Sequence, residues 1–340
     1  MFKLLRLFVT SHTYFLLARK TQKMIGKDIS KAAAIIQSEG LVAFPTETVY
    51  GLGANALSPI AVAKIFAAKE RPNFDPLIVH IANVSQVEEL TSEANPKIYP
   101  LIEKFWPGPL TLVLPKSTQV PDLVTSGLST VGIRMPNNDI ALELIKQSQC
   151  PIAAPSANKF GQLSPVDAHH VAKQLSDIDY ILDGGQTSVG VESTIVSIEG
   201  DVCRLLRPGF ISLEDIEEAL PGLFKFETLA PKHVLAPGLL KSHYSPQKPL
   251  YFIEDIKGEL PEGSGLICHG KSDRHYATEH LIYTSEHFDK IEIAANLFSS
   301  LHKMEEDKAV KQIFIEKVDE EGIGLAIMDR LQKAAFRYQH

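Results

Sequence analysis

The chain predicts an α/β protein of two domains, a larger one built on a mixed sheet and a smaller α/β domain behind it. Three observations carry this. From Asp28 to about residue 225, helical patterns alternate with short apolar strand patterns, and some neighbouring strands are close enough for hairpins. Residues 226–249 then gather Pro231, Pro237, Gly238, Pro246 and Pro249 in one non-periodic stretch, which reads as a linker with a function. From 250 to 340 a second set of strand and helix patterns follows, and 340 residues are ample for two cores.

The elements can be justified in order. Asp28 is a natural N-cap, and Gly40 a stop, for a helix over 29–38. Leu41–Phe44 reads as a buried strand. Ser58-Pro59 opens a helix to about Glu70, with Ile60, Ala63, Phe66 and Ala67 expected on one face. Strands are expected at 77–81, 110–114, 131–135 and 151–154, with helices near 85–93 and 97–105 and one over 139–148 capped by Asn138. Ser164-Pro165-Val166-Asp167 looks like the start of a helix reaching Leu175. Strands at 180–182, 194–198 and 202–206 and a helix at 213–220 complete the larger domain. In the smaller one, strands fall at 250–253, 266–268, 281–283 and 312–316, and helices at about 288–305 and 323–336.

Composition sets limits on function. A net charge of −7 argues against a surface built chiefly for nucleic acid. Cys150, Cys203 and Cys268 are sparse and scattered, which suits reduced thiols in a cytoplasmic protein better than disulfides or a zinc site. The first 27 residues are basic and carry no acid. Their apolar patches are too short to span a bilayer, and no secretory cleavage pattern follows. They read as an extension outside the fold, with an organellar transit peptide as the alternative.

Several motifs carry chemistry. Lys69 and Arg71 end a helix, where cations complement its dipole for about 0.3–1 kcal/mol. Pro72 and Pro76 bracket them in a stiff turn, and His80 lies in the apolar strand beyond. Pro45–Gly53 offers Thr46 and Thr48 hydroxyls and glycines that permit close approach. It is no dinucleotide fingerprint, because six residues part the strand from the first glycine. Arg134 in mid-strand demands an anion, either an internal acid or a ligand carboxylate. Ser156 and Asn158 stand where a strand ends, the usual ligand edge of such sheets. A loop from Gly184 to Thr194 ends in Glu192 and Ser193, Arg207 follows on the next strand pair, and His243-Tyr244 lies in the Pro-rich stretch. Cations and hydroxyls brought together by a sheet suit a phosphate-bearing ligand.

Eight segments resemble the threonylcarbamoyl-AMP synthase family, the long two-domain form of the YrdC-like proteins. They are FPTETVYGLGANA, KERPNFDPLIVHI, WPGPLTLVL, VGIRMPN, APSANKFGQLSP, ESTIV, RPG and KSHYSP, in the family's order. Residues 250–340, ending in Gly322–Leu331, look like its C-terminal domain. The resemblance implies a twisted YrdC-like mixed sheet. It implies an enzyme joining L-threonine, bicarbonate and ATP into threonylcarbamoyl-AMP, with Mg2+ accompanying ATP and the product feeding tRNA modification. It implies that Lys69, Arg71, Asp75, Thr130, Ser156, Asn158, Ser164, Arg207 and Tyr244 hold ATP, and that Lys69 and Arg71 act in catalysis. It implies that Thr48, His80, Arg134, Ala154 and Ser193 surround threonine, and that residues 237–249 close over the nucleotide. Asp75 departs from the family's usual Asn, so a carboxylate stands where it would repel a triphosphate without Mg2+. Contact with the tRNA-modifying machinery is a weaker implication. The rival readings are an RNA-binding module and an enzyme making another carbamoyl adenylate.

Overall fold

A computed structural model describes residues 24–93, 95–228, 243–271, 276 and 278–338. The basic leader up to residue 23 and most of the Pro-rich stretch, 229–242, including the first part of the expected closing segment, lie outside them. Eleven of the described strands form one mixed sheet and four form a second, wholly parallel sheet.

The large sheet begins with β1 (Ile25–Gly26), α1 (Ile29–Gln37), β2 (Val42–Phe44), β3 (Gly51–Asn55), α2 (Pro59–Lys69) and β4 (Ile78–His80). It continues through α3 (Gln86–Leu90), α4 (Ile98–Phe105), β5 (Leu110–Pro115), α5 (Asp122–Thr125), β6 (Thr130–Arg134), α6 (Asp139–Ser148) and β7 (Ile152–Ala153). Then come α7 (Ala168–Gln174), β8 (Tyr180–Leu182), β9 (Thr194–Glu199), β10 (Val202–Arg207), α8 (Leu213–Ala219) and β11 (Lys225–Thr228). The strand order is β1-β8-β2-β3-β7-β4-β6-β5-β9-β10-β11. The small sheet holds β12 (Leu250–Phe252), β13 (Ser264–Cys268), β14 (Leu281–Tyr283) and β15 (Gln312–Ile315), in the order β12-β15-β13-β14. Helices α9 (Lys290–Glu306) and α10 (Ile323–Phe336) complete that domain.

The expected α/β architecture is therefore present, with local corrections. Ile25 and Gly26, counted above with the leader, pair with Ile181 and Leu182 and belong to the sheet. Residues 51–55, read as a loop, form β3, because the turn after Phe44 folds them back antiparallel onto β2. β11 runs into the stretch read as linker and pairs parallel with β10. α2 buries Ala61, Val62, Ile65, Phe66 and Lys69, whereas Ile60 is 62% exposed. Of the expected face only Phe66 is buried, and the true one places a lysine on the buried stripe. Asp28, Ser58 and Asn138 cap their helices through side-chain oxygens. The left-handed residue after α1 is Glu39, not Gly40. Helix α7 is capped by Asp167, so Ser164 is released from the capping role.

The core of the small domain is shared with the large one. Val49, Leu163, Val166, Val191 and Tyr244 join Leu297, Phe298, Leu301, Ile313 and Leu331 in one apolar cluster. Burying each such side chain contributes about 1.5–3 kcal/mol. At Gly190 (φ +76°) the two domains approach closely: a Cβ there would stand 2.2 Å from the Ala294 carbonyl oxygen of α9.

Candidate active site

A hollow of about 540 Å³, counting the part open to solvent, lies over β3, β4, β6 and β7. It is lined by Thr48, Arg71, His80, Arg134, Ala154, Ser156, Ser193, Arg207 and Tyr244, all singled out in the sequence. Thr46, Glu192 and His243 line it as well.

One side is built on the turn after β7. Lys69 is buried beneath it, and its Nζ donates to the carbonyl oxygens of Ser156 (2.6 Å) and Asn158 (2.5 Å). Ser156 Oγ lies 2.5 Å from Asn158 Oδ1, and Asn158 Nδ2 donates to the Lys159 and Gln162 carbonyls. Burial, with Arg71 adding, lowers the Lys69 pKa well below that of an ordinary lysine. Lys69 and Asn158 thus shape the turn from behind and do not line the hollow. The left-handed Glu70 (φ 55°) ends α2 and turns the chain so that Arg71 reaches the rim. Arg71 Nη2 contacts Asp75 Oδ2 at 2.8 Å, while Nε and Nη2 donate to the Asp75 and Pro76 carbonyls. Burial raises the Asp75 pKa and Arg71 opposes it. Asp75 is wholly buried behind Arg71, so its charge is balanced there and does not face the hollow.

The opposite side is built on paired strands. His80 and Arg134 are register partners on β4 and β6. Arg134 Nη2 lies 2.7 Å from Glu47 Oε2, Nη1 donates to Thr48 Oγ1 (3.1 Å), and Nε donates to the Gly108 carbonyl (3.3 Å). The anion demanded by Arg134 is therefore an internal acid, Glu47. Burial and the neighbouring Arg134 push the His80 pKa down to about 3, so the imidazole is neutral at pH 7. Beside this corner Trp106 is buried, its Nε1 donating to the Leu110 carbonyl at 2.7 Å.

The third wall comes from the start of β9, the end of β10 and the last part of the Pro-rich stretch. Arg207 donates to the Ser193 carbonyl (2.8 Å) and hydroxyl (3.1 Å), and Ser193 Oγ lies 2.8 Å from Thr111 Oγ1. Tyr244 is 1% exposed, holds a left-handed backbone (φ 62°) and packs at 4.1 Å from the His243 ring. Ser164 lies behind this wall, donating to Glu192 Oε1 at 2.7 Å. Thr130 stands apart, in a narrower groove with Thr111, Thr125, Gly132 and Ile195. That groove meets the hollow only through Ile78. Thr130 and Arg134 are four residues apart on β6 and so share a face of the sheet, but they stand at opposite ends of the strand.

Sequence reasoning missed Glu47 and Arg330. Glu47 sat between the two threonines of its motif. Arg330 occupied a core position of α10, in register with the buried Ala326, Ile327, Leu331 and Ala334, which was a legible signal. Its side chain is buried and pairs with Glu192 at 2.7 Å.

Two family models match the chain. One, described as "Telomere recombination", covers residues 34–209. The other, described as "Threonylcarbamoyl-AMP synthase, C-terminal domain", covers 211–336. A threonylcarbamoyl-AMP synthase from Pyrococcus abyssi is 44% identical over 89% of this chain and 93% of its own. The chain belongs to the threonylcarbamoyl-AMP synthase family. Another family member, from Bacillus subtilis, is 43% identical over 90% of this chain and 92% of its own. Among solved structures, P. abyssi Sua5 complexed with L-threonine superposes with a TM-score of 0.81 at 41% identity. That match covers 92% of this chain and 97% of the other. The family expected from the motifs and the mixed-sheet fold are thus both borne out, and this family member is an enzyme.

Proposed function

We infer that the hollow carries out adenylyl transfer to a threonine-derived carbamate. The observation that supports this best is the convergence of Arg71, Arg134 and Arg207 with the hydroxyls of Thr48, Ser156 and Ser193 around one space. Guanidinium groups suit phosphate and carboxylate oxygens, which they can engage through two parallel donors. The relative complexed with L-threonine supports threonine as the amino acid.

In this reading Arg71, Ser156, Arg207 and Tyr244 form the nucleotide end. Thr48, neutral His80, Arg134, Ala154 and Ser193 form the amino-acid end. Lys69 and Asn158 act from beneath by fixing the Ser156 turn. Threonine's amine and bicarbonate give a carbamate and water. A carbamate oxygen then attacks the α-phosphorus of ATP, a new P–O bond forms, and pyrophosphate leaves with the electrons of the broken one. Holding three polar reactants together and countering phosphoryl charge is the protein's share of the work.

Mg2+ enters this scheme with ATP, as the counter-ion of its phosphates. No trio of His, Cys or carboxylate ligands lies in the hollow among the described residues, and Asp75 is committed to Arg71. The side chains therefore do not fit a resident metal site, and no step is assigned to the ion. The product would supply the tRNA threonylcarbamoyl machinery. A cytoplasmic setting accords with three buried free thiols.

The test is mass-spectrometric detection of threonylcarbamoyl-AMP with threonine, bicarbonate or ATP omitted in turn. Product should vanish in all three omissions. Product without threonine, or with another amino acid preferred, would refute the assignment.

A further inference from the structure

The hollow belongs to the large sheet, yet one of its acids is held by the small domain. Glu192 lines the hollow and is 6% exposed. Its Oε1 accepts from Ser164 Oγ at 2.7 Å, and its Oε2 accepts from Arg330 Nε at 2.7 Å. Arg330, on α10, is 1% exposed. Its Nη1 donates to the Pro208 carbonyl (2.9 Å) and to Asp329 (2.7 Å). Its guanidinium carbon lies 5.4 Å from the centre of the Tyr244 ring. Burial alone would raise the Glu192 pKa, but Arg330, and Arg207 after it, bring it down to about 2. The carboxylate is thus charged at any working pH and sits within the field of two arginines.

This arrangement poses a competition. A buried carboxylate is strongly stabilised by pairing and costly to leave alone. If Arg330 did not take it, the other arginine acting on it is Arg207, which lines the same hollow, bonds the carbonyl of the adjacent Ser193 and is offered to the nucleotide. A carboxylate bound to Arg207 would compete with a phosphate for the same donors, and its own charge would repel the triphosphate at short range. Ser164 Oγ orients the other oxygen, and the Ser164 carbonyl is itself held by His302 Nε2 of α9 at 3.0 Å. Two helices of the small domain therefore grip the Ser164–Glu192 pair from behind.

We propose that Arg330 is a positioning residue for nucleotide binding: it draws the Glu192 carboxylate toward the small domain and so keeps Arg207 available to the phosphates of ATP. This rests on the adenylyl-transfer reading, and it gives the small domain a direct part in the site. Arg330 touches no substrate and acts only through Glu192 and the neighbouring Tyr244.

The experiment measures ATP binding by titration calorimetry on the full chain, with melting temperature and threonine KM recorded in parallel. Arg330→Ala should weaken ATP binding at least tenfold while changing the threonine KM by less than about threefold. Arg330→Lys should recover part of the loss. In Arg330→Ala/Glu192→Gln the competing charge is gone, and ATP affinity should return to within about threefold of the parent. Unchanged ATP affinity in Arg330→Ala overturns the proposal. So does a double variant that melts like the parent yet binds ATP no better than Arg330→Ala, or a parallel fall in both substrates' affinities. Failure of the parent chain to bind ATP would instead defeat the adenylyl-transfer reading, so the two failures are distinct.

Discussion

The two sheets treat their buried polar groups in opposite ways. In the large sheet, Arg71, Arg134 and Arg207 stand at element ends and line a hollow, each within reach of an acid. In the small sheet the polar groups close on one another. His269 Nε2 donates to the Glu316 carbonyl at 2.7 Å, and its Nδ1 meets Thr284 Oγ1 at 2.9 Å. The buried arginine of the small domain, Arg330, turns from its own sheet to Glu192 of the other half. Charge held at a ligand surface and charge held internally can therefore coexist in one chain, with the buried Arg330–Glu192 pair linking the two halves.

The largest effect should come from breaking a pair beside the hollow. Arg134→Gln leaves Glu47 buried without its partner and should cost about 3–5 kcal/mol in urea unfolding. Glu47→Gln/Arg134→Gln should cost clearly less than Arg134→Gln alone. Equal losses would mean that the pair is not coupled.

Lys69→Ala comes next. Two carbonyls of the Ser156 turn lose their donor, costing about 1–3 kcal/mol each. Pyrophosphate release should fall by about 10² or more as the turn loosens. The equivalent loss in the small sheet, Thr284→Ala, should lower stability and leave turnover intact. Normal turnover in Lys69→Ala would remove the turn from the mechanism.

A pH series sharpens the contrast further. Burial pushes His80 and His243 to about 3 and His302 to about 4. Each folded value lies below the unfolded value near 6.5, so the unfolded chain takes up the proton first. Stability should be fully present above pH 6.5 and decline as pH falls, by up to about 1.4 kcal/mol per unit for each such histidine. Glu192, held near 2, adds to the same trend only below about pH 4.5. Urea midpoints at pH 7.5 and 5.5 would show the slope, and His302→Asn should flatten it. A flat profile in the parent chain contradicts the neutral, buried state of these rings.

The smallest effect concerns the small domain alone. Asp289 caps α9 by accepting from the Ile291 and Glu292 amides. Asp289→Ala should cost about 1 kcal/mol in thermal unfolding with ATP affinity unchanged.

Much of this was legible in the sequence, for a physical reason in each case. Helix starts could be read from Asp28, Ser58 and Asn138 because capping is a local hydrogen bond. Strands buried on both faces could be read from their apolar runs. The β3 strand could not, because glycines suggest a turn until β2 and β7 supply its partners. Arg71, Arg134, Ser156 and Arg207 could be named as site residues since polar groups beside apolar strands need partners. Arg71 pairs locally with Asp75, four residues on, but the pairing of Arg134 with Glu47 and the displacement of Lys69 behind the Ser156 turn depend on chain segments remote in sequence. Thr130 illustrates the same limit, since it shares the Arg134 face yet lies at the other end of β6, in the neighbouring groove.

Trp106 is the sole tryptophan of the chain, and it is buried beside the Gly108 carbonyl that receives Arg134. Intrinsic emission excited at the indole band is therefore a local optical reporter. It watches the large sheet at the amino-acid end of the hollow and is blind to the small domain. A fluorescence melt and a circular-dichroism melt of the same sample would coincide only if both halves unravel together.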